Sequence, residues 1–152
     1  MSRFYEEMKY MQSSRIFIIT GAPGSGKTTY AKANRRTGDI VIDLDYLASA
    51  LMLESNPHTD RQDVLDAAFF LRKQLINAIE ANSIIYNRAF IIATNDAQKL
   101  QHRLGGTIID CDKGFTDTFD RIKNDDSTSD EQQKKRREYA LAYYRKHGKR
   151  FC

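Results

Sequence analysis

The chain has 152 residues, of which 41% are hydrophobic and 29% charged, and its formal net charge is +4. This length is typical of one domain with one core, and no apolar run approaches the ~20 residues that span a bilayer. The N-terminus lacks the continuous apolar stretch of a secretory signal, so we expect a cytoplasmic protein with no membrane contact. The two cysteines, Cys111 and Cys152, form no C-x-x-C pair, so neither a structural disulfide nor a zinc site is expected.

Four short apolar runs are predicted to be strands. They cover residues 15–20, 39–43, 88–94 and 106–111. Most are continuously apolar at their centres, which favours a parallel sheet that is covered on both faces. Helical segments are predicted between and after them, at residues 28–36, 44–53, about 59–82, 96–104, 115–123 and 132–146. Strands that alternate with helices indicate a single α/β domain of βαβ units over residues 1–152.

Three further segments of the chain have a predicted structure: the start of the long helix, a loop and an N-terminal extension. Thr59 and Gln62 have the spacing of a capping box at the start of the long helix. The polar stretch 124–133 is predicted to be a lid loop between two helices. Residues 1–14 form a mildly amphipathic extension, whose apolar side chains would pack on the domain or on a second copy; these are Phe4, Tyr5, Met8 and Met11.

The junction between the first strand and the next helix carries the pattern G-x-x-x-x-G-K-[ST], from Gly21 to Thr28. The glycines at positions 21, 24 and 26 permit a turn whose backbone N–H groups point inward and form a concave anion site. The following helix presents its N-terminus to the same anion. Lys27 adds a positive charge against the β- and γ-phosphates, and the hydroxyl of Thr28 is a ligand for Mg²⁺.

The loop is therefore predicted to bind a nucleoside triphosphate. Pro23 stiffens it, which reduces the entropy lost on binding. The loop reads no base, so ATP and GTP are not distinguished by it. The predicted nucleotide-binding residues are Gly21, Ala22, Pro23, Gly24, Ser25, Gly26, Lys27, Thr28 and Thr29.

Two carboxylates, Asp43 and Asp45, follow the second predicted strand. In a parallel sheet this strand end lies on the same edge as the glycine loop. A carboxylate there can hold Mg²⁺ through water or accept the proton of an attacking hydroxyl. The alternative is that one of them caps the next helix, for which Asp45 is the better placed.

The third strand ends at Thr94, which is not acidic, so the usual run of apolar residues followed by an aspartate is absent there. Asp43, after the apolar residues 40–42, fits that pattern better. Asn95 or Asp96 is predicted to cap the next helix.

The last third of the chain contains further candidate phosphate ligands. Arg121 leads into the polar stretch and would reach the transferring phosphoryl group if this stretch folds over the nucleotide. The alternative is that Arg121 pairs with Asp117 or Asp125 on its own helix.

Basic residues dominate positions 134–150. They form either a solvated helical face or a phosphate-attracting surface that binds nucleic acid. In the second case Tyr139, Tyr143 and Tyr144 would stack on bases.

Taken together, "GAPGSGKTTYAK", "VIDLDYLA", "RAFIIAT", "TIIDCD" and "FDRIKND" resemble a small P-loop kinase. The chain is similar over residues 15–144 to nucleoside, polynucleotide and zeta-toxin-like kinases, and to compact ATP-binding proteins often carried by bacteriophages. The resemblance implies a three-layer fold with strand order 2-3-1-4 and use of ATP and Mg²⁺. It also implies that an aspartate at the end of strand two activates the acceptor hydroxyl, a position that Asp45 matches best and Asp43 next.

Members of this group often carry an arginine or lysine three residues after that aspartate, where this chain has Ala48, which disfavours a phosphorylated acceptor. The lid arginine corresponds to Arg121, with Arg136 or Arg137 as helpers. No N-K-x-D motif is present, which disfavours a Ras-like GTPase.

The leading hypothesis is therefore a phosphotransferase in which Lys27, Asp45 and Arg121 are catalytic and Thr28 and Asp43 serve the metal. Its acceptor would be a nucleoside, a nucleotide or a polynucleotide. The alternatives are a nucleotide-dependent nucleic-acid-binding ATPase and a nucleotide-binding protein without efficient catalysis. The sequence does not indicate an oligomeric state.

Overall fold

Four parallel strands form the centre of the fold. The computed structural model describes residues 2–126 and 128–147, without the side chain of Phe115. The strands are β1 Ile16–Thr20, β2 Ile40–Ile42, β3 Ala89–Ile92 and β4 Thr107–Asp110. Their order in the sheet is β2-β3-β1-β4, as the sequence predicted, and every pairing is parallel. Because β1 is central, the loop that follows it lies in the middle of the carboxyl edge of the sheet.

The described helices number seven. They are α1 Arg3–Ser13, α2 Lys27–Asn34, α3 Leu44–Met52, α4 Gln62–Glu80, α5 Ala97–Leu104, α6 Phe115–Lys123 and α7 Asp130–Lys146. The sequence predicted the last six to within a few residues at each end, whereas α1 was not predicted as a helix. Cys152 and the end of the basic stretch, after position 147, lie outside the described residues.

Helices cover both faces of the sheet, which explains why the inner strands β1 and β3 are apolar over most of their length. On one face, strand residues such as Ile18 and Ile91 are fully buried against α4 and α5. On the other face Ile19 and Phe90 pack against Ala31 of α2. This arrangement confirms the predicted three-layer α/β fold. Burying a large aliphatic or aromatic side chain contributes about 1.5–3 kcal/mol, so both layers stabilise the sheet edge that carries the site.

The predicted capping box at Thr59 and Gln62 is wrong. α4 begins at Gln62 after Arg61, which makes no side-chain cap, and the Thr59 hydroxyl accepts a 3.2 Å hydrogen bond from the Arg61 amide instead. A capping box occurs at the start of α7, where Ser129 and Gln132 exchange hydrogen bonds of 3.3 and 3.1 Å. As a result α7 includes the last four residues of the predicted lid loop, and the polar connection between α6 and α7 is correspondingly shorter.

Helix α1 has no buried side chain. Its apolar side chains, including Phe4 and Met11, are exposed and do not pack on the described domain. Among the described residues, α1 contacts the domain at its C-terminal end, where Gln12 donates a hydrogen bond to the carbonyl of Ile79 and Ser13 lies against Gly105. Within residues 2–126 and 128–147, no helix combines the length and the apolar character needed to cross a bilayer.

Candidate phosphate-binding and phosphotransfer site

The loop between β1 and α2 adopts a backbone that requires glycine. Gly24 and Gly26 have φ values of 82° and 93°, which side-chain-bearing residues rarely adopt. A Cβ at Gly24 would also lie 2.7 Å from Ile122 Cγ1, so α6 packs directly on the loop. Gly26 is the N-cap of α2, whose first residue is Lys27. The loop thus presents the helix N-terminus at the carboxyl edge of the sheet, which is a favourable position for an anion.

The Lys27 ammonium folds back over this loop. Its Nζ donates to the carbonyl oxygens of Gly21 at 2.9 Å and Ala22 at 2.8 Å, and the side chain is buried. Burial lowers the pKa of Lys27 to about 8, although Asp43 and Asp45 act in the opposite direction. Lys27 is therefore mostly protonated at neutral pH and is desolvated, so it can bind phosphate strongly.

The hydroxyl of Ser25 supports ligand binding at the same loop. Ser25 is buried, and its Oγ has no hydrogen-bond partner among the described residues. Leaving a buried hydroxyl unsatisfied costs about 1–3 kcal/mol. A phosphate oxygen in the loop would offer this hydroxyl an acceptor, so the loop fits the triphosphate that its sequence predicts.

Thr28 and Asp43 come together across the site. The Thr28 hydroxyl donates a 2.6 Å hydrogen bond to Asp43 Oδ2, which joins the first turn of α2 to the end of β2. Asp43 Oδ1 accepts from the amides of Asp45 at 3.0 Å and Tyr46 at 3.5 Å, so Asp43 is the N-cap of α3. The alternative that Asp45 caps this helix is therefore wrong.

The oxygens of Thr28 and Asp43 are the hard ligands that Mg²⁺ prefers, and it usually keeps several waters beside one or two protein ligands. The donor set therefore fits Mg²⁺. These two residues would hold the ion at the mouth of the phosphate-binding loop.

Asp45 lies in the first turn of α3, two residues after Asp43. Its side chain is 48% exposed, yet protein atoms surround much of the carboxyl group. This desolvation, followed by the repulsion of Asp43, raises the pKa of Asp45 to about 6. Asp45 is thus a carboxylate at neutral pH whose proton affinity is higher than that of an ordinary aspartate, as a general base requires.

Two arginines approach the loop from the C-terminal part of the chain. Arg121 Nη1 donates to the carbonyl of Ser25 at 3.3 Å, and a Cβ at Gly26 would lie 2.4 Å from the same nitrogen. The alternative that Arg121 pairs with a neighbouring aspartate of its own helix is not seen among the described residues. Instead Asp125 pairs with Arg136, at 2.6 Å.

Arg136, on α7, reaches the site through its contacts: its partner Asp125 lies 3.9 Å from His58, which lies 3.7 Å from Asp45. Its charge also acts to lower the pKa of both Lys27 and Asp45. The structure thus brings Lys27, Thr28, Asp43, Asp45, Arg121 and Arg136 to one edge of the sheet.

Two other groups of predicted residues do not join this site. Asp96 precedes α5 but makes no side-chain cap, because its carboxylate forms a bidentate pair with Arg72 at 2.9 and 3.2 Å. Tyr143 and Tyr144 are buried against Ala22 and cannot stack on bases. The Tyr144 hydroxyl lies 3.0 Å from Thr118 Oγ1 and also donates to Asp112, so these tyrosines anchor α7 behind the phosphate loop.

The sequence analysis missed two residues of the site. His58 lies 3.7 Å from Asp45 and 3.9 Å from Asp125, yet in the sequence it stands in an unremarkable turn after "NP". Asp125 was considered only as a helical partner of Arg121. The His58–Asp125 contact joins distant segments, and the His58–Asp45 contact forms across the α3–α4 connection, so no local pattern reveals either.

Comparison with known proteins gives one curated relative. Over 90 residues the chain is 38% identical to the dephospho-CoA kinase of Corynebacterium diphtheriae. The match covers 55% of this chain and 40% of the relative, so this chain spans well under half of that protein. No protein-family model matches the chain.

Solved structures with a similar fold include two that cover most of this chain. One is a chain of the Pnkp1/Rnl/Hen1 RNA repair complex, with a TM-score of 0.58 and 17% identity, over 88% of this chain and 46% of that one. The other is TT1252 from Thermus thermophilus, with a TM-score of 0.50 and 22% identity, over 91% and 86% of the two chains. Together with the sheet order and the glycine loop, these similarities show a P-loop kinase-like fold.

Proposed function

We propose that this protein is a phosphotransferase that moves the γ-phosphoryl group of Mg·ATP to a hydroxyl of a nucleoside, nucleotide or polynucleotide. One observation carries the proposal: a half-exposed carboxylate, Asp45, lies at the same sheet edge as the phosphate-binding loop. Desolvation and the neighbouring Asp43 raise the pKa of this carboxylate to about 6, which suits a group that accepts a proton during transfer.

The loop would bind the phosphate chain through its main-chain amides, the start of α2 and Lys27. Thr28 and Asp43 would hold Mg²⁺, which neutralises phosphate charge when it is bound. The buried Ser25 hydroxyl gains a hydrogen-bond acceptor in this arrangement. Arg121, which already lies on the loop at Ser25 and Gly26, places a further positive charge beside it.

The transfer itself needs a base and a fixed geometry. Asp45 takes the proton of the acceptor hydroxyl, the hydroxyl oxygen forms a bond to the γ-phosphorus, and the bond to the β–γ bridging oxygen breaks with release of ADP. The developing charge on the phosphoryl oxygens is stabilised by Lys27 and Arg121, with Arg136 nearby. Most of the acceleration would come from such positioning and electrostatics, as in phosphoryl transfer generally.

The comparisons support a nucleotide-type acceptor. The curated relative is named as a kinase of dephospho-CoA, and one structural neighbour belongs to an RNA repair complex. The structure also explains one departure from the resembling kinases. Ala48 is fully buried between α3 and α4 against Val64 and Ala68, so this position packs the helices and would not present a cation to an acceptor.

The proposal is tested with radiolabelled ATP and three acceptors: a nucleoside, a nucleoside monophosphate and a 5′-hydroxyl oligonucleotide. We expect label transfer by the wild type, loss of transfer and of ATP binding in Lys27→Ala, and loss of transfer with retained ATP binding in Asp45→Ala. Lys99→Ala, on the exposed surface of α5, serves as the matched lysine control. Transfer by Asp45→Ala at the wild-type rate would rule out Asp45 as the base.

A further inference from the structure

Four ionisable side chains form a chain of contacts from the acceptor side of the site to α7. Arg136 Nη1 lies 2.6 Å from Asp125 Oδ2, and the same carboxylate oxygen lies 3.9 Å from His58 Nε2. On the other side of the imidazole, His58 Nδ1 lies 3.7 Å from Asp45 Oδ2. His58 thus stands between two carboxylates, one on the proposed base and one on the segment that leads to α7.

The backbone around His58 is fixed on both sides. Its amide donates to Asn56 Oδ1 at 3.0 Å, within the connection between α3 and α4. Its carbonyl accepts a 3.3 Å hydrogen bond from Gln132 Nε2, on α7. Two residues later, Asp60 pairs with Lys135 at 3.1 Å. The connection is therefore held against the start of α7, and the imidazole, whose side chain is 25% exposed, is held with it.

Asp45 needs such a partner. Its carboxylate is about half exposed, and the basic group that comes within 4 Å of it among the described residues is the imidazole of His58, whose pKa is lowered by burial. An aspartate side chain on a helix surface exchanges between rotamers, and each rotamer points the carboxylate in a different direction. A base that is misplaced by about 1 Å can lose a factor of about 10² in rate, so restriction of this motion has a kinetic effect.

We propose that His58 is a positioning residue, which orients the Asp45 carboxylate toward the acceptor hydroxyl through its Nδ1 side. This inference rests on the proposed phosphotransferase function. Burial lowers the pKa of His58, which favours the neutral imidazole, and this form has one N–H to donate. The proposal places this N–H on Nδ1, which faces Asp45 Oδ2.

The competing explanation is that His58 only helps to hold the α3–α4 connection against α7. The two explanations assign the effect of His58 to different ring nitrogens: Nδ1 faces Asp45, and Nε2 faces Asp125 on the segment before α7. Substitution by Asn or Gln tests the nitrogens one at a time, because the Asn amide nitrogen falls near the position of Nδ1 and the Gln amide nitrogen near that of Nε2. If the role of His58 is purely structural, its replacement should lower the Tm. It should not lower kcat while leaving the affinity for Mg·ATP unchanged.

The test compares His58→Ala, His58→Asn and His58→Gln with the wild type and with His102→Ala, an exposed histidine on α5. For each protein we would measure kcat and KM with radiolabelled ATP and the three acceptors above, the Kd for Mg·ATP by calorimetry, and the Tm. We expect His58→Ala to lower kcat by about 10–100-fold with a Kd for Mg·ATP within about 2-fold of wild type. His58→Asn should recover most of kcat, His58→Gln should behave like His58→Ala, and His102→Ala should match the wild type.

The measurements distinguish a failure of the proposed function from a failure of the proposed role of His58. No transfer and no ATP binding by the folded wild type would overturn the proposed function and with it this inference. Transfer by the wild type with an unchanged kcat in His58→Ala would overturn only the role of His58. Recovery of kcat by Gln but not by Asn would also overturn it, because the contact with Asp125 alone would then account for the effect.

Discussion

The hydroxyl of Thr28 donates a 2.6 Å hydrogen bond to Asp43, across the gap between the first turn of α2 and the end of β2. The two residues stand 15 positions apart in the sequence, and each belongs to a motif of its own. Their contact joins the phosphate-binding loop to the strand end that carries the candidate base. It is the relationship on which the proposed metal site depends.

Thr28→Val should weaken metal-dependent nucleotide binding. Valine keeps the shape of threonine but has no oxygen to offer Mg²⁺ or Asp43. We expect the affinity for Mg·ATP to fall by about 10–100-fold, with a smaller effect on ATP in the presence of a chelator. Calorimetric titrations with and without the chelator measure both values. Thr107→Val, on β4, is the matched control, and an equal loss under both conditions would contradict a role of Thr28 in metal binding.

Nucleotide affinity should fall at alkaline pH because of Lys27. In the free protein its pKa is lowered to about 8, so its charged fraction decreases as the pH rises through that value. Bound phosphates favour the ammonium form, so binding takes up a proton in the window above about pH 8, and affinity decreases there by at most ~10-fold per pH unit. The phosphates, with a second pKa of about 6, stay ionised throughout.

Calorimetry in two buffers with different ionisation enthalpies would detect this proton uptake directly. We expect uptake of nearly one proton at about pH 9 and almost none near pH 6.5. The same affinity at both pH values, without proton uptake, would show that the Lys27 ammonium does not contact the phosphates.

Asp45→Asn should stabilise the fold while it removes transfer activity. The pKa of Asp45 is raised from 3.8 in the unfolded reference to about 6 in the folded protein, so the folded state binds more protons between these values. The free energy of unfolding therefore decreases as the pH rises through this window, and the penalty is complete above about pH 6. Asparagine carries no charge and therefore avoids this destabilisation of the folded state. Because the carboxylate is half exposed, the gain should be small.

Thermal unfolding at about pH 4 and pH 7 measures this effect. We expect the Tm of Asp45→Asn to exceed that of the wild type near pH 7 and to match it near pH 4. Asp120→Asn, an exposed aspartate on α6, is the control. An equal or lower Tm of Asp45→Asn at neutral pH would show that the carboxylate is not destabilised by its surroundings.

Nucleic-acid binding through α7 should be weak. The sequence offered three tyrosines for stacking, but of these only Tyr139 is exposed. Several basic side chains are also engaged by the protein: Lys135 pairs with Asp60, and Arg136 with Asp125. Retention of single-stranded DNA and RNA over a salt series, with and without ATP, should give a shallow log–log slope, whereas several phosphate contacts would give a steep one. A steep slope would restore the alternative of a nucleic-acid-binding ATPase.

The sequence predicted the fold well because the fold follows from local rules. Continuous apolar strands, the glycine loop and the helical segments after it determine a parallel sheet with covered faces, and the strand order implied by the resemblance is confirmed. Residues 21–29 could be placed for the same reason, since strand, turn and helix are consecutive. The predicted boundaries of α4 and α7 were less accurate. Thr59 with Gln62 and Ser129 with Gln132 have the same capping-box spacing, and of these two pairs the second forms the box.

The remainder of the site depends on contacts between distant segments. The sequence does not distinguish the roles of Asp43 and Asp45. In the structure the carboxylate of Asp43 accepts from both Thr28 and the first amides of α3, which leaves the carboxylate of Asp45 for the proposed base. His58, Asp125 and Arg136 are separated by up to 78 positions and meet only because the α3–α4 connection lies against α7. No periodicity or spacing in the sequence encodes such a meeting.

The double use of Asp43 has a mechanical consequence. One of its oxygens accepts from the threonine hydroxyl, and the other holds the first amides of α3. If Mg²⁺ occupies the proposed position, a tilt of α3 would displace the oxygen that holds the ion, and the bound ion would in turn stabilise the start of the helix. Metal binding and the orientation of Asp45, two residues after Asp43, would then depend on the same three-atom carboxylate.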